Sequence, residues 1–182
     1  MDLLWTSFLN SDFHDWRGTG RSEDRLDKPG WVAAFLAEWR LPAAGEPGAA
    51  EIAALKALRA LLHRIASSMT GGLPVEGADL GALNAVLSGG AVLRRVDAAD
   101  GGYDLKHLPA SVGWLQVQAE IAASLASTLA EGEGVRIRFC ENPDCQWVFL
   151  DDTRNHTKRF CDDKLCGNLM KVRRFRARRK ST

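Results

Sequence analysis

Apolar residues recur at helical spacing in four stretches of the chain. Trp31, Phe35, Leu36 and Trp39 form the first, which Leu41-Pro42 ends. Pro29 falls in its first turn, where a missing N–H costs nothing. A link rich in Pro, Gly and Ala (Pro42 to Gly48) leads to the second, in which Ile52, Leu55, Leu58, Leu62, Ile65 and Met69 line one side until Gly71-Gly72. Leu80, Leu83 and Leu87 predict a shorter helix from about 78 to 88, followed by Gly89-Gly90. A long helix over 110–130 carries Val112, Leu115, Ala119, Ala122, Leu125 and Leu129, and Gly132 and Gly134 end it. Between the third and fourth stretches, 91–96 and 103–106 flank the turn-rich segment Asp97 to Gly102, which reads as a β-hairpin. Core packing accounts for every one of these stripes.

Composition changes abruptly after Gly134. Residues 1–134 are rich in Ala and Leu and contain no cysteine, with 11 Lys/Arg against 17 Asp/Glu, a net of −6. Residues 135–182 hold all four cysteines and 13 Lys/Arg against 6 Asp/Glu, a net of +7. The overall charge of +1 conceals this split, and an asymmetry of this kind points to a nucleic-acid or membrane partner for the basic part. We therefore expect a domain boundary at 134/135. No stretch reaches the roughly 20 uninterrupted apolar residues of a membrane span. Met1-Asp2 opens no signal peptide, so a cytoplasmic location and no membrane partner are expected.

Cys140-Glu-Asn-Pro-Asp-Cys145 and Cys161-Asp-Asp-Lys-Leu-Cys166 are two C-x4-C pairs separated by 15 residues. Two short Cys loops on a short connection supply a tetrahedron of thiolates at low entropic cost, which is what zinc prefers. Asn142-Pro143-Asp144 is turn chemistry that would curl the first loop into a knuckle. Gln146 to Leu150 reads as a strand and Asp151 to His156 as a polar turn; Cys161 would close this hairpin and Cys166 would open a terminal helix. That order is the treble-clef arrangement. Two disulfides or four unrelated thiols are the competing readings, and a reducing compartment disfavours the first. His156 is an alternative ligand. Four Cys ligands leave no open position, so the zinc would be structural, and its removal would unfold this small segment while the helical part stays folded.

From Lys164 onward there are eight basic residues and no acidic one. Lys171, Arg173, Arg174, Arg176, Arg178 and Arg179 are candidate phosphate contacts on the terminal helix, and Arg154, Lys158 and Arg159 would extend the surface from the preceding turn. Arginine suits bidentate contact with phosphates or guanine edges. Leu165, Leu169, Val172 and Phe175 would form an apolar seam docked on the finger. A basic tail can also simply solubilise a chain or neutralise an acidic domain. DNA is the expected partner; RNA or ribosome association is the alternative.

The run from the first C-x4-C through Trp147-Val-Phe-Leu-Asp151 and Lys158-Arg159-Phe160-Cys161 to Cys166-Gly167-Asn168 resembles the CGNR zinc-finger family. Phe8-Leu9-Asn10-Ser11, followed by the Ala-rich helical region, is similar to the ABATE domain that precedes that finger. The two resemblances cover nearly the whole chain. They imply a bacterial, stress-linked, DNA-binding transcription regulator whose N-terminal domain senses a ligand. By analogy with the family's Asn-centred motif, Asn10 and Ser11 are candidate ligand-binding residues. The plain reading of Asn10 to Arg17 as caps and loop hydrogen-bonders stands beside it, as does a second metal at Asp12, His14 and Asp15. Leu169 departs from the family motif, which has Arg there; Lys171 is the nearest substitute. No nucleophile–base constellation, P-loop or Rossmann fingerprint is present, so an enzyme with its pocket in the helical part is the least favoured reading. The expected fold is mainly α with a small β component: a helical N-terminal domain with a hairpin, then a treble-clef-like finger with a basic helix.

Overall fold

A computed structural model describes residues 3–43 and 45–180, with the side chain of Lys180 outside the described set; Ala44, within the expected link, also lies outside it. Among the described residues about half are helical, and three two-stranded antiparallel pairs are present. Helix α1 spans Leu4–Leu9 and leads into β1 (Asp12–His14), which pairs with β2 (Ser22–Asp24). Helices α2 (Trp31–Trp39), α3 (Ala49–Thr70) and α4 (Gly77–Leu87) follow, and then the ribbon β3 (Val92–Ala99) with β4 (Gly102–Pro109). Helix α5 (Trp114–Ala130) closes the helical body. Strands β5 (Ile137–Phe139) and β6 (Val148–Leu150) pair, and α6 (Asn168–Lys180) ends the fold.

The expected stripes form the core. Leu55, Leu58, Leu62 and Ile65 of α3 and Leu125 of α5 are fully buried against Trp5 and Phe8 of α1. Trp5 also satisfies its indole N–H, which donates to Thr128 Oγ1 at 3.0 Å, so a large apolar surface is buried without an orphaned donor. Helix α5 begins at Trp114 rather than near 110, because β4 extends to Pro109 and keeps the preceding residues extended. Val112, which falls before the helix, is exposed as a result, and Leu115, in the helix's first turn, is exposed as well.

Two finger residues belong to this same core. Ile137 of β5 is 0% exposed and Val148 of β6 is 2% exposed, both within the main apolar cluster. Thr70 at the end of α3 donates its hydroxyl to the Ile137 carbonyl at 3.2 Å, and the His63 ring packs on Phe139 with centroids 5.1 Å apart. The strand at 148–150 pairs backward with 137–139, across the knuckle, and not forward across the polar turn. Asp151 accounts for this. It is fully buried and accepts from the backbone N–H of Thr153 and of Lys158 at 2.9 Å each, so the 151–158 turn is held by a side chain instead of a ladder.

Candidate zinc centre and basic helix

The two C-x4-C pairs converge. The Sγ atoms of Cys140, Cys145, Cys161 and Cys166 lie within 4.8 Å of one another, with Cys145–Cys161 at 3.7 Å and Cys161–Cys166 at 3.8 Å. A tetrahedron with Zn–S bonds of about 2.3 Å has S···S edges of about 3.8 Å, so the donor set fits one Zn2+. His156 is exposed on the outer turn and takes no part.

Local sequence builds each ligand's position. Cys140 follows β5 directly, and its N–H donates to the Trp147 carbonyl at 2.8 Å, closing the knuckle as the loop between β5 and β6. Asn142 is 0% exposed inside that loop. Its Nδ2 donates to the Trp16 carbonyl at 2.8 Å and to Cys166 Sγ at 3.4 Å, so one amide joins the N-terminal segment, the knuckle and the last ligand. Cys166 sits in a wide π turn over Asp163–Gly167, marked by Gly167 N–H donating to the Asp162 carbonyl at 3.0 Å. Asp162 caps this turn by accepting from the N–H groups of Lys164 and Leu165. A Cβ on Gly167 would stand 3.3 Å from Asp163 Oδ1 and 3.5 Å from the Phe160 ring, which explains a glycine directly after the fourth ligand.

Hydrogen bonds from Cys145 and Cys161 hold the Cys140 thiol far below its ordinary range. The same shared bonds push Cys161 up and Cys145 up to about 12, while burial raises Cys166. Thiols crowded this closely cannot all ionise on their own; a bound dication supplies the charge that lets them.

The π turn also explains a difference on the terminal helix. It adds a residue to the turn, so the straight-helix count from Leu165 lands on the wrong face. Met170 packs against the finger's small core of Phe149, Phe160 and the thiols. Leu165, Val172 and Phe175 are exposed instead of docked. Arg173, one turn beyond Met170, is half-buried: it ion-pairs with Asp144 and donates to the Arg17 carbonyl at 3.1 Å. Arg159 pairs with Glu141, and Lys158 pairs with Asp152 at 3.3 Å. Arg154, Lys171, Arg174, Arg176, Arg178 and Arg179 are exposed, with Arg174 over the Phe160 ring and Arg179 over Phe175.

Asn10 and Ser11 are buried at the junction between the body and the finger. Asn10 Nδ2 donates to the Val148 carbonyl at 2.9 Å, and Asn10 Oδ1 accepts from the Val148 N–H at 2.8 Å. The amide thus caps one residue of β6 as a neighbouring strand would. Ser11 accepts from Arg59, which also holds Asp24 through two contacts of 2.8 and 2.6 Å; the guanidinium keeps the Asp24 carboxyl down at about 2. Further along the same segment, Phe13, His14 and Trp16 face Trp147 and Leu165 across a cavity of about 350 Å3 that three of the four thiols also line. The sequence marks Asn142 as turn chemistry but not its bridge to Trp16 and Cys166, and it shows neither β5 nor the Asn10–Val148 bonds. The Asn inside the first C-x4-C was the available signal for the first of these.

Among the described residues, no helix is long and apolar enough to cross a membrane. A search of curated proteins returns no match. Residues 136–179 match the model of the CGNR zinc finger. Residues 2–132 match the ABATE model, described as "Putative stress-induced transcription regulator". With more than two thirds of its length under that match, the chain belongs to the ABATE family and carries a CGNR zinc finger after it.

Proposed function

We propose that this chain is a cytoplasmic, zinc-dependent transcription regulator, not an enzyme, whose terminal helix binds duplex DNA. The observation that carries the reading is the charge and placement of α6. It follows the last thiol within two residues, contains no acidic side chain, and presents Lys171, Arg174, Arg176 and Arg179 to solvent. A helix with that surface gains affinity by releasing counterions from phosphates. The metal's part is to fix where the helix starts. Arg173 is a positioning residue in this account, since Asp144 and the Arg17 carbonyl hold it. Arg154 belongs to the contact surface. Arg159 and Lys158 would have to leave Glu141 and Asp152 to join it.

Residues 1–134 would act as the sensing unit and 135–182 as the binding unit. The cavity between Phe13, His14, Trp16 and Trp147 is the place where a small molecule would be felt by the finger. Asn10 and Ser11 would act from behind it, by holding β6 and Arg59.

A salt titration against duplex DNA, single-stranded DNA and RNA tests the reading. Duplex should bind best, with log K falling linearly in log salt. Replacing Lys171, Arg174 and Arg176 by Ala should flatten the slope by about 3, at roughly 0.9 per phosphate contact. An unchanged slope, or RNA bound more tightly than duplex, would overturn it in favour of another surface or an RNA partner.

A further inference from the structure

Helix α6 carries two large apolar side chains turned away from the finger. Met170 marks its docked side, packed on the finger's small core, and Arg174 lies over the Phe160 ring nearby. At 3.6 residues per turn, Val172, Phe175 and Arg179 fall within about 60° of one another on the opposite side. Val172 is 36% exposed and Phe175 61%. The Arg179 guanidinium stands 5.9 Å from the centre of the Phe175 ring, so a cation sits on the stripe itself. Exposed Lys171 and Arg176 lie about 40° outside the stripe, one on each flank. A single exposed apolar residue needs no explanation. Two at helical spacing, with cations on both flanks of a helix that has no carboxylate, restrict what can cover them.

The partner must be anionic along two rims and apolar along a narrow floor between them. The major groove of duplex DNA has that cross-section: phosphates form both walls, the width of about 12 Å admits a helix, and each thymine places a C5-methyl on the floor. We propose that α6 lies in the major groove with Val172 and Phe175 packed on the methyl groups of neighbouring thymines, so that the protein prefers thymine-bearing duplex. This rests on the reading of α6 as a duplex-binding helix, and adds to it which face points at the bases. Val172 and Phe175 are about 4.5 Å apart along the helix axis, close to one base step of about 3.4 Å. Lys171 and Arg176 then reach opposite phosphate walls. An RNA helix fits less well, since its major groove is too deep and narrow for a helix and uracil lacks the methyl. A lipid surface calls for a broader apolar face than two side chains within about 60°.

Two duplexes of equal length and charge test this on the full, zinc-loaded chain: alternating dA and dT, and the same sequence with deoxyuridine for thymidine, which removes only the methyl. The thymine duplex should bind about tenfold more tightly, as expected for burying two methyl groups. The salt slope should be the same for both, because the phosphate contacts do not change. The double variant Val172→Ala, Phe175→Ser should bind the two duplexes equally, with the slope, helical circular dichroism and zinc content of the wild type. Equal wild-type affinity for the two duplexes with the salt slope intact would overturn this inference and leave the DNA reading standing. No salt-dependent duplex binding would overturn both. A thymine preference that survives the double variant would place the methyl contact on another surface. Equal duplex affinity together with retention on phosphatidylserine vesicles that the double variant abolishes would assign the stripe to a lipid surface instead.

Discussion

Two antiparallel strand pairs in this molecule have opposite fates. β5–β6 has three residues per strand and is buried, with Ile137 and Val148 inside the helical core and Asn10 bonded to the edge of β6. β3–β4 has eight per strand and stands in solvent, with Tyr103 and Val96 mostly exposed. Strand length and alternation would have ranked them the other way. What decides burial is attachment: the short pair is anchored at its loop by two of the four thiols and at its edge by an amide, whereas the long pair is anchored only at its base.

The largest effect should come from the loop anchor. Cys166→Ser should lower zinc from one per chain to near zero and remove protection from hydrogen exchange in α6, because a structural zinc contributes on the order of 10 kcal/mol to such a segment. Protection in α3 and α5 should persist. Its loss would show that the finger and the body fold as one unit. The edge anchor comes next. Asn10→Ala leaves the N–H and C=O of Val148 buried and unpaired, at about 1–3 kcal/mol each, and urea unfolding should report a total loss of about 2–6 kcal/mol with no change in zinc content. A loss below that range would mean that water replaces the amide. The smallest effect belongs to the long ribbon. Leu93→Thr, at a 60% exposed position, should shift stability by no more than about 0.5 kcal/mol. A larger loss would place Leu93 inside a contact.

The same contrast explains how much of the molecule could be read from its sequence. Helices α2, α3 and α4 follow from periodic apolar residues bounded by glycines or prolines, which are local signals. The thiol cluster follows from spacing, because two matched C-x4-C loops have few other uses. The partner of β6 does not follow, since Ile137-Arg138-Phe139 is too short to show a period and its burial depends on Thr70 and the α3 face. The seam on α6 misleads because a π turn is invisible to a 3.6-residue count. Asn10 reads equally well as a cap, a ligand contact or a clasp until a backbone 138 residues away is seen beside it.

That separation has a consequence for synthesis. Domains generally fold as units as the chain emerges, at about 5–20 residues per second. Here α1 and α3 are made early, yet the surface they offer to Ile137 and Val148 stays open until the knuckle has emerged. The nascent helical body must therefore wait several seconds with an uncovered apolar seat, during which chaperones and proteases can reach it. Quality control of this protein is thus set late, by a strand pair six residues in all.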